Sequence, residues 1–201
     1  REAVAKSGKG IPFAIALERN DGLVTRCKMQ VLPAGSPHDA DTIRLIERTV
    51  KFLLWGRGGF RIFLSGPEPF CTPIRAAYAK GGTRGFDVDL MSRVYGHAFE
   101  VLRVEASQLP IQRESTASIG RHLDGCRIGF DLGASDYKLA AVKDGEPVFS
   151  MEIPWAPSVE PDPAYHYRML NDGLKQAAAH LPRVDAIGGS AAGIYVDNRV
   201  M

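Results

Sequence analysis

Apolar and polar positions fall into blocks that read as short strands and amphipathic helices. Pro12 to Leu17 is an apolar strand, Asn20-Asp21-Gly22 a turn signal, and Leu23 to Leu32 the return strand of a hairpin. Ile43, Ile46, Val50 and Leu53 then recur at helical spacing behind Asp39 or Asp41, either of which can cap the helix. Gly56 to Gly59 stops it, and Phe60 to Leu64 is a buried strand. Thr72-Pro73 opens a short helix, Asp87 starts another that ends at Gly96, and Phe99 to Val104 is a strand.

A second series begins at Arg127. Arg127 to Asp131 is a strand, Gly133 to Asp136 a tight turn, and Tyr137 to Val142 a second strand. Lys143-Asp144-Gly145 is a hairpin turn, and Pro147 to Ile153 a third strand. Asp162-Pro163 opens a helix whose expected inner face carries Tyr167, Leu170, Leu174, Ala178 and Leu181. Val184 to Ile187 is a fourth strand, and Gly188 to Gly193 a loop of small residues. The expected organisation is therefore an α/β unit over 1–105, a linker over 106–126, and a second unit over 127–201, with residues 1–10 a polar tail.

The two units resemble one another. Each has an Asp-Gly hairpin turn, Asp21-Gly22 and Asp144-Gly145, and each has a later strand ending in glycine, Gly66 and Gly189, 44 residues on in both. They differ ahead of the hairpin, where the second unit has Asp131-Leu132-Gly133 and the first has Lys9-Gly10-Ile11 without a carboxylate.

Composition narrows the class. The chain has 201 residues, 45% hydrophobic and 24% charged, with a net charge of +2, which suits a globular protein and excludes collagen-like, disordered and coiled-coil classes. No apolar run reaches the ~20 residues of a membrane helix. A net charge of +2 gives no strong pull toward nucleic acid, and Arg57, Arg61, Arg75 and Arg84 are spread over several elements; nucleic acid is not an expected partner. Cys27, Cys71 and Cys126 are odd in number and widely spaced, which predicts reduced thiols and a cytoplasmic location. The start lacks both a methionine and an apolar core, and is read as an internal start without a signal peptide.

The chemistry concentrates after the strand ending in Asp131. A carboxylate there can hold Mg²⁺, usually through water. The small residues Gly133 and Ala134 let backbone N–H groups approach phosphate oxygens. Ser135 adds a hydroxyl, and Lys138 adds positive charge. The stretch Ile128 to Gly145 (IGFDLGASDYKLAAVKDG) resembles the phosphate-binding opening of the actin-like ATPase superfamily, and most closely the ROK family of bacterial sugar kinases and regulators. Ala134 stands where the family has a second glycine, and Ser135 where it has threonine. Ile187 to Val200 (IGGSAAGIYVDNRV) resembles the family's strand and sugar-cleft loop, with Ala192 in place of a frequent proline and Asp197 matching the loop's aspartate.

The resemblance covers 127–201 and implies an α/β fold of actin-like ATPase (ribonuclease H-like) mixed sheets with flanking helices, in two related units, the second incomplete. It implies ATP and Mg as cofactors, with Asp131 as metal ligand and Gly133, Ala134, Ser135 and Lys138 at phosphate. Gly189, Ser190, Ala191 and Gly193 would be at a small-molecule sugar. The implied function is that of a piece of an ATP-dependent sugar kinase, transferring the γ-phosphoryl group to a sugar hydroxyl. The alternatives are a non-catalytic sugar- or nucleotide-binding sensor, or a scaffold with a degenerate lobe. The family's catalytic aspartate matches no residue here, so the catalytic residue is unassigned and the chain by itself is expected to be inactive. A homodimer or a C-terminal lobe is the expected partner.

Overall fold

The computed structural model describes residues 4, 8–114, 122–196 and 199–201. Parts of the expected tail and linker, and Asp197, lie outside them. Two units are distinguished, Arg1–Ala117 with Tyr195–Met201, and Ser118–Ile194. Both are mixed α/β structures, each built on a four-stranded mixed sheet with flanking helices.

In the first unit β1 (Ile11–Glu18) pairs antiparallel with β2 (Val24–Val31), across a turn in which Asp21 takes φ 59°. The other edge of β1 takes β3 (Arg61–Ser65) antiparallel, and β4 (Glu100–Arg103) lies parallel to β3. Alternation puts Phe13, Ile15, Leu17, Ile62 and Leu64 on one face. There they form one core with Ile46, Val50 and Leu54 of α1 (Asp39–Arg57) and Phe70 and Ile74 of α2 (Glu68–Ala77). Met91 of α3 (Gly85–Tyr95) joins them. Ala16 and Val24 form a second cluster with Leu109. Leu109 falls in the expected linker, as does Arg113, whose backbone exchanges hydrogen bonds with Val24. The front of that segment is thus part of the first unit.

Two helix starts differ from expectation. His38 occupies the cap position of α1 without a side-chain bond, and Asp39 turns back instead, accepting from the backbone N–H groups of Gly35 and Ser36 at 2.8 and 3.1 Å. α2 begins at Glu68 rather than at Thr72-Pro73, with Pro69 in the first turn and Pro73 inside the helix. A proline near a helix start costs little, because the first N–H groups have no intrahelical acceptor.

In the second unit β5 (Cys126–Leu132), β6 (Asp136–Lys143) and β7 (Glu146–Pro154) form an antiparallel meander. After α4 (Pro163–Ala178), β8 (Ala186–Ala191) returns parallel to β5, giving the order β7-β6-β5-β8. This is the three-plus-one arrangement expected from the sequence. Asp144 at φ 51° and Gly145 at φ 89° make the β6–β7 hairpin turn. Asp162 caps α4 by accepting from Ala164 N–H at 2.9 Å. The inner face of α4 is the expected one in part: Leu174, Ala178 and Leu181 pack on the core, but its most buried positions are Gly173 and Ala177, and Tyr167 is 71% exposed. A Cβ on Gly173 would lie 2.8 Å from Leu139 and 2.9 Å from Tyr137, so this glycine sets how closely the helix approaches the sheet. Two short strands that follow in the chain, β9 (Tyr195–Val196) and β10 (Arg199–Val200), pair with each other and are grouped with the first unit.

The strand orders refine the likeness between units. Matching β1–β2 with β6–β7, and β3 with β8, leaves β5 without a counterpart, and β3 closes directly against β1. By position in the sheet, however, β3 takes the place that β5, the strand carrying Asp131, takes in the second unit.

Candidate functional site

β5 alternates sharply. Ile128, Phe130 and Leu132 join the core against α4, so Arg127, Gly129 and Asp131 belong to the opposite face. Asp131 is the penultimate residue of β5 and is exposed. The register sets it opposite Lys138 on β6 and beside Ser190 on β8. The Ser190 hydroxyl donates to Asp131 Oδ1 at 2.5 Å across a separation of 59 residues. An open depression of about 640 Å³ lies here, lined by Gly129, Asp131, Lys138, Ala140, Ser150 and Glu152, among others.

The turn after β5 is fixed by backbone contacts. Gly133 N–H donates to the Asp136 carbonyl at 3.0 Å, and a Cβ on Gly133 would sit 2.7 Å from that oxygen. Only glycine fits there. Ala134 and Ser135 are exposed. Ser135 does not present a free hydroxyl proton, because its Oγ donates to Asp136 Oδ2 at 2.9 Å. Lys138 is likewise committed, with its ammonium 2.6 Å from Asp136 and 3.6 Å from Glu152. The Lys138 hydrogen bond, and then that from Ser135, hold the Asp136 carboxyl below the usual carboxylate range. The same contact with Asp136 raises Lys138.

Of the residues expected at sugar, Gly189, Ser190 and Ala191 lie within β8 rather than in a loop. The reason is pairing: each of them has a partner on β5, which outweighs the weak strand propensity of glycine and alanine. A Cβ on Gly189 would meet the Phe130 ring at 2.2 Å, so the glycine makes room for that ring. Gly193 follows in the next turn at φ 141°. Ser190 is thereby brought to Asp131, and the expected metal and sugar residues meet at one point.

Two residues at the site, Trp155 and Glu152, lie outside the motifs singled out in the sequence. Trp155 follows β7 and touches the turn twice: its backbone N–H donates to the Ser135 carbonyl at 3.0 Å and its indole Nε1–H to the Gly133 carbonyl at 2.9 Å. The aromatic ring at a strand end was the only available signal. Four of the histidines have structural neighbours: His38 lies 3.7 Å from Asp41, His97 stacks on Phe60, His180 stacks on Phe149, and His166 lies between the carbonyl oxygens of Asp162 and Pro157.

Among the described residues no group of three His, Cys, Asp or Glu side chains could enclose a metal ion. Asp131 offers one exposed carboxylate, with Oδ1 bonded to Ser190. That donor set fits a hydrated Mg²⁺ carried with a phosphate ligand, and does not fit an all-protein cage. No helix among the described residues is long and apolar enough to cross a membrane.

No known family profile matches the chain, and no curated protein matches it. Solved structures that resemble it include a Ppx/GppA phosphatase from Aquifex aeolicus, at 13% identity and a TM-score of 0.24, over 90% of this chain and 63% of that one. An exopolyphosphatase from Cytophaga hutchinsonii gives 12% identity and a TM-score of 0.25, over 89% of this chain and 64% of that one. The chain thus spans less than two thirds of their length. Similarity this distant carries no argument about chemistry, so the functional reading rests on the site's own geometry.

Proposed function

We propose that the second unit is the phosphate-side lobe of an actin-like phosphoryl-handling enzyme. Asp131 would hold a hydrated Mg²⁺, and the Gly133–Ser135 turn would offer backbone N–H groups to phosphate oxygens. One observation carries this reading: Asp131 and Ser190 meet near the carboxyl ends of two adjacent parallel strands, beside a turn of small residues. In open α/β sheets ligands gather at that end of parallel strands. The chain's residues orient the carboxylate through Ser190 and shape the turn through Gly133. Bound Mg²⁺ would supply charge neutralisation to the phosphate.

The finer reading is a sugar kinase of ROK type, supported by the likeness of Ile128–Gly145 and Ile187–Val200 to that family. A non-catalytic sensor is favoured by one feature, the commitment of Lys138 to two carboxylates, which leaves its charge neutralised. Calorimetry of Mg-ATP against ATP without metal tests the common part. Binding should require the metal, and Asp131→Asn should weaken it about tenfold or more, equivalent to about 1.4 kcal/mol. Equal affinity in wild type and Asp131→Asn would refute the site. An ADP-release assay over a hexose panel, beside a phosphate-release assay on polyphosphate, separates kinase, phosphatase and sensor.

A further inference from the structure

We propose that Trp155 is the positioning residue of the Gly133–Ser135 turn, and that its indole senses whether the turn is occupied. The inference rests on the phosphate reading above and extends it to a residue outside the motif. A turn that receives phosphate must hold its N–H groups in one orientation, and the peptide carbonyls on either side fix that orientation. Trp155 binds two of them, at Gly133 and at Ser135, and so brackets Ala134 from both ends.

The tryptophan is itself anchored. Its ring packs against Tyr137, centroids 5.2 Å apart, and edge-on to His166 at 5.8 Å. Tyr137 donates its hydroxyl proton to the Met169 carbonyl, and Tyr165 accepts from Ala156 N–H at 3.1 Å. The turn is therefore tied through Trp155 to the first turns of α4. Bonds from a rigid, packed ring are the kind of support that holds a binding group in its productive geometry. Phosphate drawing on the Ala134 region would polarise the same peptide groups that the indole N–H contacts.

The chain contains two tryptophans, so Trp55→Phe leaves Trp155 as the sole indole reporter. The full chain carrying Trp55→Phe is titrated with Mg-ATP by calorimetry and, in parallel, by tryptophan emission. The expected result is an emission change whose midpoint equals the calorimetric one. Adding Trp155→Phe, which keeps a ring and deletes the Nε1 donor, should then weaken Mg-ATP about three- to tenfold, the scale of one lost hydrogen bond. No heat with Mg-ATP in the Trp55→Phe protein would overturn the phosphate reading and this proposal together. Normal heat with flat emission, or unchanged affinity after Trp155→Phe, would overturn the role of Trp155 alone. Should Trp155→Phe fail to fold, the emission titration of the Trp55→Phe protein decides.

Discussion

The two units distribute bulk differently over their sheets. In the first, large side chains from three helices cover one face, and Ala16, Val24 and Leu109 close part of the other. In the second, α4 covers one face, while the opposite one carries Gly129, Ala140, Ser150 and Gly188 beside Asp131, Lys138 and Glu152. A Cβ on Gly129 or Gly188 would meet nothing within 4 Å. These two glycines are not demanded by packing or by a positive φ, and their consequence is space. Large side chains gather where the fold needs cohesion, and small and charged ones line the depression beside Asp131.

The largest expected effect breaks the first unit alone. Leu64→Ala empties a fully buried position and should cost about 2–5 kcal/mol. Amide exchange should show lost protection in β1–β4 with β5–β8 unchanged, and uniform loss would mean that the two units unfold as one. Next, Gly189→Ala presses a methyl group against the Phe130 ring and should cost about 1–3 kcal/mol, seen as weaker protection of β5 and β8. Gly129→Val separates space from stability in the second unit. A β-branched residue suits an exposed strand position, so the change in stability should stay within about 0.5 kcal/mol while Mg-ATP binding weakens. Tight binding by Gly129→Val would show that the depression is not used.

Acid offers the mildest comparison. Burial works against the ionised Glu114 carboxyl, but hydrogen bonds from Thr25 and Arg19 prevail and lower it. Asp136 is lowered by Lys138 and Ser135. For a lowered carboxyl the stabilisation is complete above the unfolded-state value and is lost as pH falls through the folded one. Each unit should therefore hold to below the ordinary carboxylate range and then loosen locally, around Thr25 in one and around the Gly133–Asp136 turn in the other. NMR titration of amide shifts from pH 6 to 2 reads both, and loosening at pH 5 would contradict the sign.

Much of this was legible from local pattern. The strands around Phe13, Ile62 and Ile128 announced themselves by apolar runs and alternation, and the hairpins by Asp-Gly turns. The helix α1 showed its period through Ile46 and Val50. Asp131 and the turn were found because they are contiguous. What escaped depends on distant partners. Gly188 to Ala191 has loop-like composition and becomes a strand because β5 supplies its register. The inner face of α4 turns on Gly173, whose value lies in what Tyr137 and Leu139 present to it. Trp155 reaches a carbonyl 22 residues away, and the hydrogen bond runs to backbone, which leaves no chemical signature in the partner residue.

The placement of β8 also bears on the order of events during synthesis. The meander β5–β6–β7 is local and can form within microseconds, as hairpins do. Its β5 edge then exposes unpaired backbone groups until the ribosome has released α4 and β8. At about 5–20 residues per second this interval lasts some seconds. An open edge is a template for wrong strands, and in that window the nascent chain is most vulnerable to pairing with a neighbour. The Asp131–Ser190 hydrogen bond can form only when the correct strand has docked. The Asp131–Ser190 pair therefore forms after the meander, and a ligand that needs it binds only chains in which β8 has already paired with β5 in register.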